Sequence, residues 1–152
     1  MDKTKDAVCR QVGVMGCEVF EIGLFQPSAK PAMIPRVWDI DTLNRSIRWL
    51  KYENLSGRNI YIRPNGEHHL TLVDDLTADA VTAMKLTGFQ PTLVIETSPG
   101  NYQAWLRHPE RLSKELGTAA ARKLAEQFGG DTGAADWRHF GRLAGFTNRR
   151  HK

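Results

Sequence analysis

Apolar positions along this chain switch between a three-to-four-residue period and alternation, and glycine, proline or a polar cap marks each switch. Thr4 to Met15 reads as a helix with Ala7, Val8, Val12 and Met15 on one side, and Gly16 is placed to end it. Val19 to Phe25 alternates loosely and is rich in strand formers. Pro27 to Pro31 is a turn or loop, and a short strand is expected over Ile34 to Trp38. Asp39 or Asp41 can cap a helix running to about Asn54, with Leu43, Ile47, Leu50 and Leu55 as its buried stripe. Asn59 to Arg63 is a strand, and Pro64-Asn65-Gly66 joins it to His69 to Val73, an Asn-Gly hairpin pattern. Thr77 opens a helix to about Thr87. Thr92 to Thr97 and Tyr102 to Leu106 form a second hairpin around Ser98 to Asn101. Ser113 or Thr118 starts a helix to Phe128 that Gly129 and Gly130 close, and the basic segment after Asp136 is expected to be helical. Strands joined by short turns and interspersed with helices predict an α+β fold, with helices on a largely antiparallel sheet. No repeat or linker interrupts the pattern, so a single domain over residues 1–152 is expected.

Composition narrows this little: 152 residues with 41% hydrophobic side chains can bury one core. No apolar run approaches the ~20 residues of a membrane span, and no secretory apolar stretch follows the first charges, which predicts a cytoplasmic protein without a membrane partner. Cys9 and Cys17 are too few for a disulfide framework and read as buried small apolar residues. The formal charge is +4, and its distribution says more than its size. After Asp136 there is no acidic residue, while Arg138, His139, Arg142, Arg149, Arg150, His151 and Lys152 follow. Trp137, Phe140 and Phe146 interleave with them, a composition suited to meeting a polynucleotide backbone and its bases together. Trp137, Phe140, Leu143 and Phe146 recur at three-residue steps, so part of this tract should be packed.

Three places carry candidate chemistry. Asp74 and Asp75 end an apolar strand, where adjacent carboxylates repel and their burial is costly unless a divalent cation offsets both charges. Mg²⁺ and Mn²⁺ prefer such oxygen ligands. Neighbours in a straight strand point to opposite faces, so a shared site requires the strand to end or bend at Asp74; the alternative is Asp75 near a helix cap and Asp74 solvated. The turn from Glu96 to Trp105 offers backbone N–H groups and the side chains of Ser98, Asn101 and Gln103 as donors for phosphate, or is an ordinary hairpin. Asp131, between glycines, can approach another group closely. Arg138 and Arg142, one helical turn apart, could fork onto a triphosphate or form a salt-bridged face with Asp136. His68, His69, His108 and His139 do not have metal-ligand spacing, and neither a P-loop nor a nucleophile elbow occurs.

In combination and in this order, Tyr61 to Pro64, Leu72 to Leu76, Glu96 to Trp105, Gly129 to Asp131 and Asp136 to Arg149 resemble the RepB-type plasmid and mobile-element primases. These are outlying members of the archaeo-eukaryotic primase superfamily. The resemblance implies an RRM-like catalytic sheet and a divalent-metal site of three acidic residues. Asp74 and Asp75 match the acidic pair and Asp131 the third carboxylate, with Asp136 as its competitor. Ser98, Asn101, Gln103, Arg138, His139, Arg142 and Arg149 are then the nucleotide and DNA contacts. The wider superfamily usually separates the acidic pair by one residue and has a histidine where Gln103 stands. The implied activity is two-metal synthesis of primers on single-stranded DNA from nucleoside triphosphates, with Mg²⁺ or Mn²⁺, alongside other plasmid replication proteins. Relatives often carry a helical module after the catalytic part, which this chain is expected to lack. The competing expectations are a DNA-binding replication or mobilisation module without catalysis, and a metal-dependent nuclease.

Overall fold

A computed structural model describes residues 2–26, 33 and 35–149. The expected loop at Pro27 to Pro31, the start of the expected strand at Ile34, and Arg150, His151 and Lys152 of the basic tract lie outside the described residues. The chain forms two compact units, Met1–Asn65 with Arg142–Lys152, and Gly66–Gly141.

In the first unit, α1 (Lys3–Met15) starts where Asp2 Oδ1 accepts the Lys5 N–H and ends at Gly16, whose φ of 70° is the left-handed cap glycine adopts readily. Val8, Val12 and Met15 are buried along one face as their spacing predicts. So is Gln11, which the apolar pattern passes over. Cys9 is exposed and Cys17 half-buried, contrary to their expected burial; Cys9 falls outside the buried stripe of α1. Strand β1 (Val19–Phe25) pairs antiparallel with β2 (Arg36–Asp39) on one side and β3 (Asn59–Pro64) on the other. The order is β2-β1-β3-β7, where β7 is the short strand Gly141–Arg142.

Asp39 caps α2 (Ile40–Arg45) by accepting the Thr42 N–H at 2.8 Å. The single helix expected here is two: Ser46 leaves helical geometry (φ −100°, ψ 1°), and α3 (Ile47–Leu55) follows. Leu43, Ile47 and Leu50 are buried, but Leu55 is 76% exposed, because the buried stripe continues through Asn54, four residues after Leu50, and leaves Leu55 outside it.

The second unit contains a three-stranded antiparallel sheet in the order β4-β6-β5, from β4 (Leu70–Leu76), β5 (Leu93–Ser98) and β6 (Asn101–Arg107). The β5–β6 hairpin forms where expected, with Gly100 at φ 77° in its turn. The expected hairpin between β3 and β4 does not form. β4 pairs with β6, and β3 has β1 and β7 as its neighbours. Thr77 caps α4 (Ala78–Leu86) and Ser113 caps α5 (Lys114–Phe128) through side-chain oxygens. Val73, Leu76, Met84, Leu106, Leu124 and Phe128 form the core between these helices and the sheet. The α+β expectation of antiparallel sheets flanked by helices holds, with two sheets in place of one. The basic segment after Asp136 is not helical. Its N–H groups go to partners far away in sequence rather than to a helical turn: Leu143 N–H donates to the Ile60 carbonyl at 3.1 Å and Ala144 N–H to Gln11 Oε1 at 2.7 Å.

Candidate metal-carboxylate site

The end of β4 is where the fold departs from regularity. Val73 opposes Ala104 and Leu76 opposes Tyr102, so β4 spends three residue steps against two on β6. That one-residue excess is a bulge at Asp74 and Asp75, which bends the strand. Asp75 has φ 60°, the only non-glycine residue with positive φ among those described, in a region that Asp tolerates better than most. Its N–H donates to Asp74 Oδ1 at 2.7 Å and fixes the bend. The backbone therefore meets the condition set by the sequence, a strand that stops being straight at the carboxylate pair.

Asp74 is held from several sides. Gln103 Nε2 donates to Asp74 Oδ1 at 3.1 Å, and His139 Nε2 lies 3.9 Å from Asp74 Oδ2. Gln103 is buried on β6, so its amide serves Asp74 from inside the protein. Gly141 packs where a Cβ would approach the Gln103 carbonyl to 3.3 Å, which confines that side chain further.

Asp131 reaches the same place through the backbone. Gly129 caps α5 at φ 72°, and Gly130 donates its N–H to the Ala125 carbonyl at 2.8 Å. Asp131 N–H then donates to the Asp74 carbonyl at 3.0 Å. A Cβ on Gly130 would stand 2.8 Å from that carbonyl oxygen and 2.9 Å from Val73 Cγ1, so only glycine allows this approach. The Asp131 carboxylate accepts the Gly133 N–H at 2.9 Å, capping the turn Thr132–Ala134. Asp136 Oδ1 accepts the N–H of Arg138 at 2.9 Å, and among the described contacts none joins Asp136 to β4.

The other expected site residues are distributed as follows. Ser98 and Asn101 close the β5–β6 turn, and Asn101 Nδ2 donates to Thr97 Oγ1. The Arg138 guanidinium lies over Trp137, 5.6 Å from its ring. Arg142 and Arg149 belong to the first unit. Arg142 stacks on Tyr61 at 4.6 Å and donates to Asn148, while Arg149 donates through Nε to the Asn54 carbonyl. Without a helix after Asp136, Arg138 and Arg142 do not share a helical face.

A metal ion here would meet hard oxygen donors, the kind Mg²⁺ and Mn²⁺ favour, and the backbone bond from Asp131 to Asp74 sets residue 131 beside the bulge that carries Asp74 and Asp75. The residues present fit such an ion in kind. Among the described residues, no three His, Cys, Asp or Glu side chains stand close enough to hold a metal by themselves, since the Asp131 carboxylate is turned onto Gly133.

Pattern reading missed Gly141 and His68, whereas the close approach at Gly130 is the one the glycines flanking Asp131 pointed to. Gly129 alone suffices to cap α5, so the second glycine of the pair was the available signal for a close approach. His68 accepts the Leu70 N–H through Nδ1 at 3.0 Å, which puts its proton on Nε2, 2.8 Å from the Trp137 carbonyl. Burial, helped by the nearby His108 and His69, holds its pKa below the usual histidine value against the Trp137 bond, which raises it. Trp137 is fixed on the other side by Gly117, where a Cβ would meet its side chain at 2.8 Å. The loop from Asp131 to His139 is thus anchored at both ends.

Comparison with known proteins bears on this arrangement. A family model for the RepB DNA-primase N-terminal domain matches residues 42–152. Mobilization protein A of Escherichia coli is 44% identical over 153 aligned residues, which are 99% of this chain and 21% of that protein. The chain thus spans about a fifth of that relative's length. The solved catalytic domain of primase RepB′ in complex with initiator DNA matches with a TM-score of 0.95 and 43% identity, over 99% of this chain and 80% of that one. The primase-polymerase domain of cyanophage S-2L matches with a TM-score of 0.70 at 16% identity, over 96% of this chain and 84% of that one, a likeness of fold. The expected primase-like core is therefore borne out. Among the described residues, no helix is long and apolar enough to cross a membrane.

Proposed function

This chain belongs to the family of RepB DNA-primase N-terminal domains, and on that premise we propose that it is the catalytic domain of a primase, a nucleotidyltransferase that joins nucleoside triphosphates on single-stranded DNA in plasmid or mobile-element replication and mobilisation. In this reading it works in the cytoplasm, and residues 1–152 act as one catalytic domain.

The observation that carries the proposal is the hydrogen bond from Asp131 N–H to the Asp74 carbonyl at a bulged, left-handed turn of β4. No core requirement explains an acidic pair placed on a bulge with the N–H of a third acidic residue bonded to its backbone. Asp74, Asp75 and Asp131 would hold Mg²⁺ or Mn²⁺. Bound there, the ions would supply charge stabilisation for a 3′-hydroxyl attacking an α-phosphate and for the departing pyrophosphate. The chain's own contribution is orientation. Gln103 fixes Asp74 Oδ1 and leaves Oδ2 facing His139. His139 and Arg138 supply donors and charge where phosphate oxygens would lie, and Ser98 and Asn101 supply donors at the β5–β6 turn. Arg142 and Arg149 are the proposed DNA contacts of the first unit.

The test is primer synthesis on single-stranded DNA with nucleoside triphosphates and Mg²⁺ or Mn²⁺. Asp74→Asn and Asp131→Asn should each abolish product while leaving the fold intact; full activity in both variants would overturn the proposal. A second reading is favoured by the absence of a three-side-chain metal cluster among the described residues: a DNA-binding module without catalysis. It predicts no primer from the wild-type chain and salt-sensitive DNA affinity that is indifferent to Asp75→Asn.

A further inference from the structure

Far from the carboxylates in sequence, the first unit carries an outward-facing aromatic surface that its core does not use. Arg45, Arg48, Trp49 and Tyr52 recur at three- and four-residue steps along α2 and α3, opposite the buried Ile47 and Leu50. All four are exposed, Tyr52 at 65%. From β2, the Trp38 ring meets Trp49 edge-on, with centroids 6.3 Å apart at 63°. The Arg36 guanidinium lies 4.8 Å from the centre of the Trp49 ring.

The charges around this surface are unbalanced. Asp39 is committed to the Thr42 N–H, which holds its carboxyl below the usual range, and Glu53 pairs with Arg58 at 2.7 Å. Lys51 faces Asp2 at 3.7 Å. Arg36 and Arg48 are the cations beside Trp49, while Arg45, one turn earlier, has its charge next to Asp39. A planar ring with a guanidinium over it, beside further arginines on an exposed helix, has the chemistry of a base-stacking platform flanked by phosphate-binding cations. Duplex DNA hides its base faces, so the fit is to unpaired nucleotides.

We infer that the Arg36–Trp38–Trp49–Tyr52 surface is a second polynucleotide-contact site that stacks unpaired bases of a single strand, separate from the carboxylate site. It rests on the DNA-binding part of the proposed function and not on catalysis.

Binding is measured by fluorescence anisotropy on a labelled single strand of about 20 nucleotides, room for several stacked bases, and on its duplex. The protein carries Asp74→Asn and the buffer contains EDTA, so failure of primer synthesis leaves this measurement untouched. Trp49→Ala and Tyr52→Ala should each weaken single-strand binding by about 5- to 150-fold, the range that loss of one stacked base gives. They should change duplex binding less than about twofold. Arg36→Gln should lower the salt slope of single-strand binding by about 0.7, one phosphate contact. Trp49 also packs on Trp38, so circular dichroism checks its fold, and the more exposed Tyr52 gives an independent reading. Single-strand binding within twofold of the parent in all three variants would overturn the inference. So would equal losses on both DNAs, no single-strand binding by the parent, or self-association abolished by Trp49→Ala with DNA affinity unchanged.

Discussion

Replacing Gly130 with alanine tests how tightly the third carboxylate is registered against the first. The added Cβ would sit 2.8 Å from the Asp74 carbonyl oxygen and 2.9 Å from Val73 Cγ1, and the first of these is strand backbone that cannot rotate away. Relief requires the 130–131 segment to move out by roughly half an ångström, which breaks the 3.0 Å bond from Asp131 N–H to Asp74. Overpacking of this kind costs about 1–3 kcal/mol, and the lost hydrogen bond adds about 1 kcal/mol. At about 2–4 °C per kcal/mol for a chain of this size, Tm should fall by roughly 5–15 °C in a calorimetric scan. Primer synthesis, assayed well below the new Tm, should fall by about tenfold or more, because the displacement acts on the geometry of the site. Gly13→Ala is the control: its Cβ meets nothing within 4 Å, and in the interior of α1 it should raise stability by about 0.5–1 kcal/mol. If Gly130→Ala leaves Tm within about 1 °C of the parent and activity intact, the tight registration of residue 131 on β4 is wrong.

Three further outcomes are expected. Gln103→Leu removes the donor to Asp74 Oδ1 and should lower primer synthesis more than it lowers Tm, while Gln103→Asn restores less than the native residue because its amide is one methylene shorter. Asn54→Ala strips partners from the Arg58 carbonyl and from both the N–H and carbonyl of Thr147, and should cost about 2–4 kcal/mol in urea denaturation. The third outcome concerns pH. Burial holds both His68 and His108 below 6.5 in the folded chain, so the unfolded chain takes up protons first as pH falls. Their contribution is fully present above about pH 6.5 and is lost as pH drops from there toward the folded values. Stability should therefore decline below about pH 6.5, and His68→Gln should reduce proton uptake on unfolding at pH 6 by up to about one proton.

The elements that could be read from sequence are those whose local signals agree. Asp2, Thr77 and Ser113 cap helices whose apolar stripes face inward, and Gly16 and Gly129 end two of them in left-handed geometry. The β5–β6 hairpin was legible because its turn is local. The β3–β4 hairpin was misread because Asn65-Gly66 marks a turn without specifying what the second strand pairs with; β4 finds its partner on β6, about thirty residues on. The segment from Arg142 to Arg149 was illegible for a similar reason. It is held by buried amides far away in sequence: Gln11 accepts the Ala144 N–H, Asn54 brackets Thr147, and Asn59 accepts the Arg149 N–H. No periodicity announces such contacts. At the site, the acidic pair and the glycine-flanked Asp131 stood out by residue type, whereas the bulge that joins them depends on pairing with β6. The turn of the Asp131 carboxylate onto Gly133 likewise depends on the short helical turn after it.

Whether Asp74 and Asp131 serve one divalent ion is read from Mn²⁺ binding, followed by the loss of its free electron paramagnetic resonance signal. Saturable binding by the parent chain is expected, weakened about tenfold or more in both Asp74→Asn and Asp131→Asn, no less than the loss of an outer-shell partner costs. Unaltered Mn²⁺ affinity in Asp131→Asn, or no binding by the parent with nucleoside triphosphate present, would contradict it.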